Sequence, residues 1–434
     1  MLIALLIGLA TAELGLAQER VKCGDGTCDP EERCWSCEED CSPCVKEYWV
    51  RHFSDYIRDS VMDKSGRLYV LIFSSVVRLN IQGISDWLVH LPSDKIYGDM
   101  VLSEDDKLLV LIERQLPDIL VIDVESTLVR QDEFEPGASG RTMFGPPSLR
   151  GSSLYLTTRL DDPSGPEKIY FLVIYDIMTG EFDSTPLAFK TAVAHPTLLD
   201  DGGILLLATQ QSTSMEKLFL LSLHPSAVER WRVQIGEGIP EGSPIGYSTA
   251  GAMGPIVTRD GTILVWTARG EIQQYSQEGK LLWEIARPAA LFLGPVLCSD
   301  DQVIFCTQNG EVYSVDKHGA PRWIVDAIGE PDPESGHDFI TSLTCLQHEH
   351  VIMRRHTDNL SVLDSANGSL LYSIPVVEFS QSGVLSAHVT PENTLLIVDG
   401  EYRVMSWLGP YVSLGTSSWP RPRSDSGNRC ATVR

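Results

Sequence analysis

From Tyr48 onward the chain alternates short apolar runs with Gly, Asp and Ser turns, and no stretch carries the apolar spacing of an amphipathic helix. Two stretches reveal a period. Pro255-Ile-Val-Thr-Arg-Asp-Gly261 leads into Ile263-Leu-Val-Trp266, then Gly270-Glu-Ile272, Gly279 and Trp283. Forty residues on, Pro295-Val-Leu-Cys-Ser-Asp-Asp301 leads into Val303-Ile-Phe-Cys306, then Gly310-Glu-Val312, Gly319 and Trp323. The proline, the Gly-Glu pair, the later glycine and the Trp fall in step without a gap. Each unit predicts four strands, the last of them bearing the Trp. Such a unit cannot bury both of its own faces, so several must pack around a ring. This spacing predicts a β-propeller of four-stranded antiparallel blades.

The same frame extends with looser matches, with first strands expected near Asp59, Gly98, Gly145, His195, Met253, Gly294, Ser342 and Leu385. That count predicts an all-β, eight-bladed propeller, with seven blades as the alternative. The unit from His195 to Trp231 is longer, with an insertion expected around Gln210 to Met215, and Tyr372 replaces Trp in another unit. Trp49, Trp87, Trp231, Trp283 and Trp323 are read as packing between units. The last unit, Leu385 to Trp407, lacks an outer strand of its own, whereas Tyr48 to Phe53 reads as an outer strand with no unit before it. The N-terminal strand is therefore expected to complete the last unit and remove an open edge. Tyr411 to Leu414 is the competing donor.

The chain start differs in character. Leu2 to Ala12 is a short apolar run followed by small residues, though no Lys or Arg precedes it. Its length suits a signal-peptide core rather than a membrane span. The expected organisation is a signal peptide over 1–17, a cysteine-rich module over 18–45, the propeller over 46–415 and a tail over 416–434. Cys23, Cys28, Cys34, Cys37, Cys41 and Cys44 fall among Gly, Asp, Glu, Ser and Pro, with almost nothing to form a core. Three disulfides, in one of 15 connectivities, are the expected cross-links. Zinc is the rival, since Cys34/Cys37 and Cys41/Cys44 are CxxC pairs, but only three residues separate them. Asp25, Asp29, Glu32 and Asp40 are candidate Ca²⁺ ligands, or simply turn-formers. Cys298, Cys306 and Cys345, in the propeller units, are expected as buried small hydrophobes.

The formal net charge of −25 disfavours nucleic acid and anionic membranes, and leaves room for a cation or a basic partner. No later segment is apolar and long enough to span a membrane. His348-Glu349-His350 offers two imidazoles but no third metal ligand, and a solvated turn is the plainer reading. No P-loop, dinucleotide fingerprint or Ser/His/Asp order fits the strand pattern.

These units resemble the quinoprotein-like (PQQ-type) propeller family in their Pro…Asp-Gly…Gly…Gly…Trp layout. The tail Trp419-Pro-Arg-Pro-Arg-Ser-Asp-Ser-Gly-Asn428 is similar to a stretch ending many exported bacterial relatives, and the Cys23–Cys44 pattern resembles a motif of secreted microbial proteins. The resemblance implies either a scaffold or a quinone-dependent dehydrogenase, whose quinone is flanked by an acidic base and by Ca²⁺ held by Glu, Asn and Asp. Alcohol-oxidising members also carry a vicinal disulfide, and this chain has no adjacent cysteines. No residue can be matched to a quinone site, so no catalytic residue is assigned. The leading expectation is a non-enzymatic binding propeller, secreted, periplasmic or at the cell surface. It would present Gln210–Lys217, Ile235–Gly251 and Glu330–Phe339 as loops to a protein or glycan partner. The alternative is a PQQ-dependent oxidoreductase; a polysaccharide hydrolase or lyase is a third class without a motif. Ca²⁺ is the candidate cofactor and a quinone is not expected.

Overall fold

The computed structural model describes residues 46–92, 95–113, 118–132, 141–143, 147–161, 168–187, 191–192, 196–211, 216–237, 254–267, 270–286, 295–298, 301–307, 311–325, 340–346, 350–355, 359–375, 384–390, 394–399 and 403–408. By contacts the chain divides into two compact units, Met1–Lys46 and Glu47–Arg434. The expected signal peptide, the six-cysteine module with its candidate Ca²⁺ ligands, and the C-terminal tail all lie outside the described residues.

Every element among the described residues is a β-strand, and the strands form eight antiparallel sheets. Numbered in chain order, sheet 1 covers 57–90, sheet 2 97–132, sheet 3 141–187, sheet 4 191–237, sheet 5 256–286, sheet 6 296–325, sheet 7 340–375 and sheet 8 384–408. Each is a meander in which consecutive strands are neighbours. In sheets 3 and 4 the first strand is split in two, Arg141–Met143 with Ser148–Arg150 and Thr191–Ala192 with Thr197–Leu198.

Sheet 8 takes its outer strand from the other end of the chain, because Lys46–His52 pairs beside Arg403–Leu408. This is the closure expected from the unmatched strand at the N-terminus. The rival segment, Tyr411 to Leu414, lies outside the described residues.

Burial explains the strand pattern. Leu68–Ile72, the second strand of sheet 1, is buried at every position, as are the first strand of sheet 2 and most of its second and third strands. The outer strands alternate instead, as in Ser85–His90. Inner strands need apolar side chains on both sides because each sheet packs between two others. Outer strands are wet at the rim.

The cores accordingly lie between sheets. One joins sheets 1 and 2 through Val61, Tyr69, Leu71, Met100, Leu109 and Leu111. Others join 2 to 3, 3 to 4, 4 to 5, 5 to 6 and 6 to 7. The series then returns on itself, since Met62, Leu68, Val70 and Leu79 of sheet 1 pack with Leu396, Val398 and Val404 of sheet 8, and with Trp49 and Phe53.

Candidate binding face and the joints that frame it

An antiparallel meander sorts its connections by end. Turns between strands one and two, and between three and four, lie at one end of each sheet. Turns between strands two and three lie at the other, together with the connectors to the next sheet. This second end carries the longest connectors, which suits it to meeting a partner, and it is the candidate binding face.

Two sheets reach furthest at that end. Ser153–Asp161 and Lys168–Asp176 of sheet 3 run nine residues each, and Ile204–Gln211 and Glu216–Leu223 of sheet 4 run eight. The second and third strands of sheets 1, 2, 5 and 6 run four to six. The extra length amounts to roughly 10 Å of strand at about 3.3 Å per residue.

This revises the loop expectation at Gln210–Lys217. Gln210 pairs with Lys217 and Gln211 with Glu216, so the hairpin continues where an insertion loop was expected. Ile235, Gly236 and Glu237 likewise belong to the strand Glu229–Glu237. Residues 212–215, most of 235–251 and the segment 330–339 lie outside the described residues, as do His348 and Glu349.

The sheets are locked together by a recurring joint. A Trp on the outer strand of one sheet lies over a turn glycine of the next. Its indole Nε1 donates to a carbonyl in that turn. Trp231 of sheet 4 covers Gly279 of sheet 5 and donates to Gln277 O at 2.8 Å. Trp283 covers Gly319 and donates to Lys317 O at 2.9 Å; Trp323 covers Gly368 and donates to Ser365 O at 2.6 Å. Trp49, on the strand that completes sheet 8, covers Gly83 of sheet 1 and donates to Ile81 O at 2.9 Å.

Two joints depart from this chemistry. Between sheets 2 and 3 the outer strand supplies Arg130, which donates to Ile177 O, to Met178 O at 3.2 Å and to the Tyr175 hydroxyl at 3.2 Å. Asp132 holds the guanidinium at 2.8 Å and accepts the Tyr175 hydroxyl. Burial pushes that phenol up to about 12. Trp spacing gives no sign of Arg130, because here a guanidinium stands where the other joints have an indole. Trp87 of sheet 1 sits in the core edge-on to Tyr69, with ring centroids 6.0 Å apart. Its Nε1 is buried without a hydrogen-bond partner among the described residues.

The innermost strands are tied as well. Asp59 accepts the Met100 amide at 2.8 Å between sheets 1 and 2. Ser148 donates to Pro196 O between sheets 3 and 4, and Thr197 donates to Pro255 O at 2.7 Å between sheets 4 and 5. At the seam of sheets 8 and 1, Ser60 Oγ lies 2.5 Å from Ser386 Oγ and 3.0 Å from His388 Nε2. Ser60 and His388 are almost fully buried, so this Ser–His pair is sealed into the seam and ties it.

Between sheets 6 and 7 the tie is covalent. Cys298 and Cys345 form a disulfide with Cα atoms 5.5 Å apart. The expectation of two unlinked buried thiols is corrected here: first strands of neighbouring sheets run side by side at the centre, which brings the two cysteines into bonding range. Cys306, on the second strand of sheet 6, is a fully buried thiol.

On the candidate binding face itself, the repeated Gly-Glu acquires a local reason. Thr267 Oγ1 donates to Glu271 at 2.7 Å, and Tyr313 donates to Glu311 at 2.9 Å. These glutamates cap the turns between second and third strands. In sheet 2, Lys95 reaches Asp118 at 2.6 Å and Glu113 at 3.5 Å. Burial pushes the Glu113 carboxyl up, and the Asp118 contact raises Lys95. Two carboxylates sharing one ammonium form a clamp that holds a connector to its sheet. Among the described residues no group of three or more His, Cys, Asp or Glu side chains is placed to hold a metal ion.

These sheets, joined in series and closed by a strand from the opposite terminus, match a known architecture.

The fold is a β-propeller.

The family model described as outer membrane protein assembly factor BamB matches residues 224–409. The crystal structure of BamB from Moraxella catarrhalis superposes with a TM-score of 0.59 at 12% identity, covering 84% of this chain and 99% of that one. The C-terminal WD40 domain of Sif2 gives 0.60 at 12% identity, over 84% and 98% of the two chains. The computationally designed Ika8 protein gives 0.55 at 13%, over 83% and 99%. No curated protein matches the chain in sequence. At such identities the likeness establishes the fold, and function rests on the site.

Proposed function

We propose that this chain is a non-enzymatic scaffold working outside the cytoplasm, an eight-bladed propeller that presents its connector face to a protein partner. The observation carrying this reading is the family match over 224–409, to a model described as an outer-membrane assembly factor, together with superposition on BamB over nearly all of that chain. The geometry agrees. The charged and hydroxylated side chains described above are engaged in joints, turn caps and clamps, and the lengthened sheets 3 and 4 add reach to the connector face. An extracytoplasmic setting suits the Cys298–Cys345 disulfide, because cytosolic thiols are kept reduced. The expected signal peptide and cysteine module fit the same setting.

Within this reading the acidic connector carrying Glu330, Asp332 and Glu334 meets a basic surface of the partner. Two measurements test the proposal on the purified, oxidised full chain. Pyrroloquinoline quinone with Ca²⁺ should give no saturable change in absorbance and no rise in melting temperature; saturable binding would replace the scaffold with an oxidoreductase. Glu330→Ala, Asp332→Ala and Glu334→Ala together should weaken binding of a partner isolated by cross-linking to the intact chain. Unchanged affinity removes that connector from the interface.

A further inference from the structure

The native bridge skips a cysteine. Cys298 pairs with Cys345 across a separation of 47, yet Cys306 lies between them in sequence, only eight residues from Cys298. All three belong to one buried cluster, which also holds Val296, Ile304, Val312 and Trp323. In an unfolded chain the closing probability falls as about the 3/2 power of loop length, which favours the shorter loop by roughly tenfold. Cys298 therefore meets Cys306 well before it meets Cys345.

The folded sheet cannot hold that early bridge. Leu297 pairs with Val303 and Val296 with Ile304, which puts Cys298 at the turn of the hairpin and Cys306 well beyond it along the second strand, opposite Val312 on the third. Joining Cys298 to Cys306 breaks this register. A register slip in a two-sided strand turns its apolar residues to the wrong faces. Sheet 6 would then fail to pack on sheet 7.

We propose that Cys298–Cys306 is the first bridge that Cys298 forms during oxidative folding, and that the native bridge arises from it by isomerisation, which makes this chain a substrate for a thiol–disulfide isomerase. The first bridge is an oxidation in which a disulfide donor, such as oxidised glutathione, takes the two electrons and two protons of the thiols and leaves as two thiols; the rearrangement that follows is redox-neutral. A catalyst thiolate attacks the Cys298 sulfur of the wrong bridge, forming a mixed disulfide and releasing the Cys306 thiolate. The Cys345 thiolate then attacks the same Cys298 sulfur, forming the native bridge and returning the catalyst thiolate. Cys306 takes up a proton and is buried as a thiol.

The test follows oxidative refolding of the reduced full chain in a glutathione buffer, with acid quenching, alkylation and tryptic mass spectrometry. Cys298 and Cys306 share the peptide 281–317, whereas Cys345 lies on 323–354. The wrong bridge is thus internal to one peptide, and the native bridge joins two. The internal bridge should appear first and decay as the joined pair grows, and a disulfide isomerase should hasten that conversion several-fold. Cys306→Ala should form the joined pair without the lag; Cys306→Val serves the same purpose if the smaller side chain destabilises the core. The proposal fails if the joined pair appears first, if a Cys306–Cys345 bridge predominates early, or if neither variant shortens the lag. These readouts report bridge order alone, so their failure leaves the scaffold reading untouched.

Discussion

Trp49 lies over Gly83 so closely that a β-carbon added to the glycine would stand 2.5 Å from the indole ring. The two residues come from the strand that completes sheet 8 and from the last turn of sheet 1. Ring closure therefore uses the same joint that locks sheets 4 to 5, 5 to 6 and 6 to 7. Gly83 also has a φ of +73°, a conformation that strains any residue with a β-carbon.

Gly83→Ala should consequently lower stability by about 2–4 kcal/mol, combining overpacking with backbone strain. Gly151→Ala is the matched control. Its φ is +56°, but nothing lies within 4 Å of the added carbon, so strain alone should cost about 1 kcal/mol. Thermal melts of both variants decide the matter, and equal losses would mean that Trp49 does not press on Gly83.

Removal of residues 46–54 should lower the melting temperature and promote association. It leaves the Arg403–Leu408 strand as an unpaired edge and removes Trp49 from the first sheet. An unchanged melt with a monomeric elution profile would show that the N-terminal strand is dispensable for closure.

Asp301 offers a pH test. It holds a φ of +59° and accepts the Arg259 amide of the neighbouring sheet at 3.4 Å. Burial pushes its carboxyl up, with the nearby Asp260 charge adding to the effect. A folded pKa above the unfolded one means that the native state favours the proton. The associated stability is present below the ordinary carboxylate range and is lost as pH rises through the raised value. Asn tolerates the same backbone and keeps the acceptor. Asp301→Asn should therefore melt higher than the parent at pH 7, with the advantage fading towards pH 3. A constant difference across that range would separate the effect from ionisation.

Lys95→Met should destabilise by about 2 kcal/mol at neutral pH, because Glu113 and Asp118 would share a buried site without their ammonium. Acidification should recover part of the loss as Glu113, whose carboxyl burial pushes up, takes up a proton before an ordinary carboxylate would. Adding Glu113→Gln should restore stability at pH 7, and denaturant midpoints of the single and double variants give the coupling directly.

Much of the architecture could be read from local signals. The 40-residue spacing of Pro, Gly and Trp marks four-stranded units, because turn chemistry and alternating burial are properties of short segments. The glycines facing Trp231 and Trp283 stand out as repeats in the sequence, although their covering partners do not. The unmatched strand around Trp49 was legible for the same reason: a strand without a preceding unit has to pair elsewhere.

The repeating unit, its strand order, the all-β class and the need for closure are thus written in local pattern. Which groups from distant units meet is settled only when the sheets pack. Arg130 takes the place of a Trp because its guanidinium reaches the turn carbonyls at 177 and 178, which no spacing announces. Ser60 and His388 share a seam although 328 residues separate them. Cys298 bonds to Cys345 past the nearer Cys306 because folding sets sheet 6 beside sheet 7, and that adjacency overrides proximity along the chain. Local pattern is written by steric and hydrogen-bonding preferences of a few residues. Contacts between sheets depend on how whole sheets pack, and that information is carried only by the closed ring.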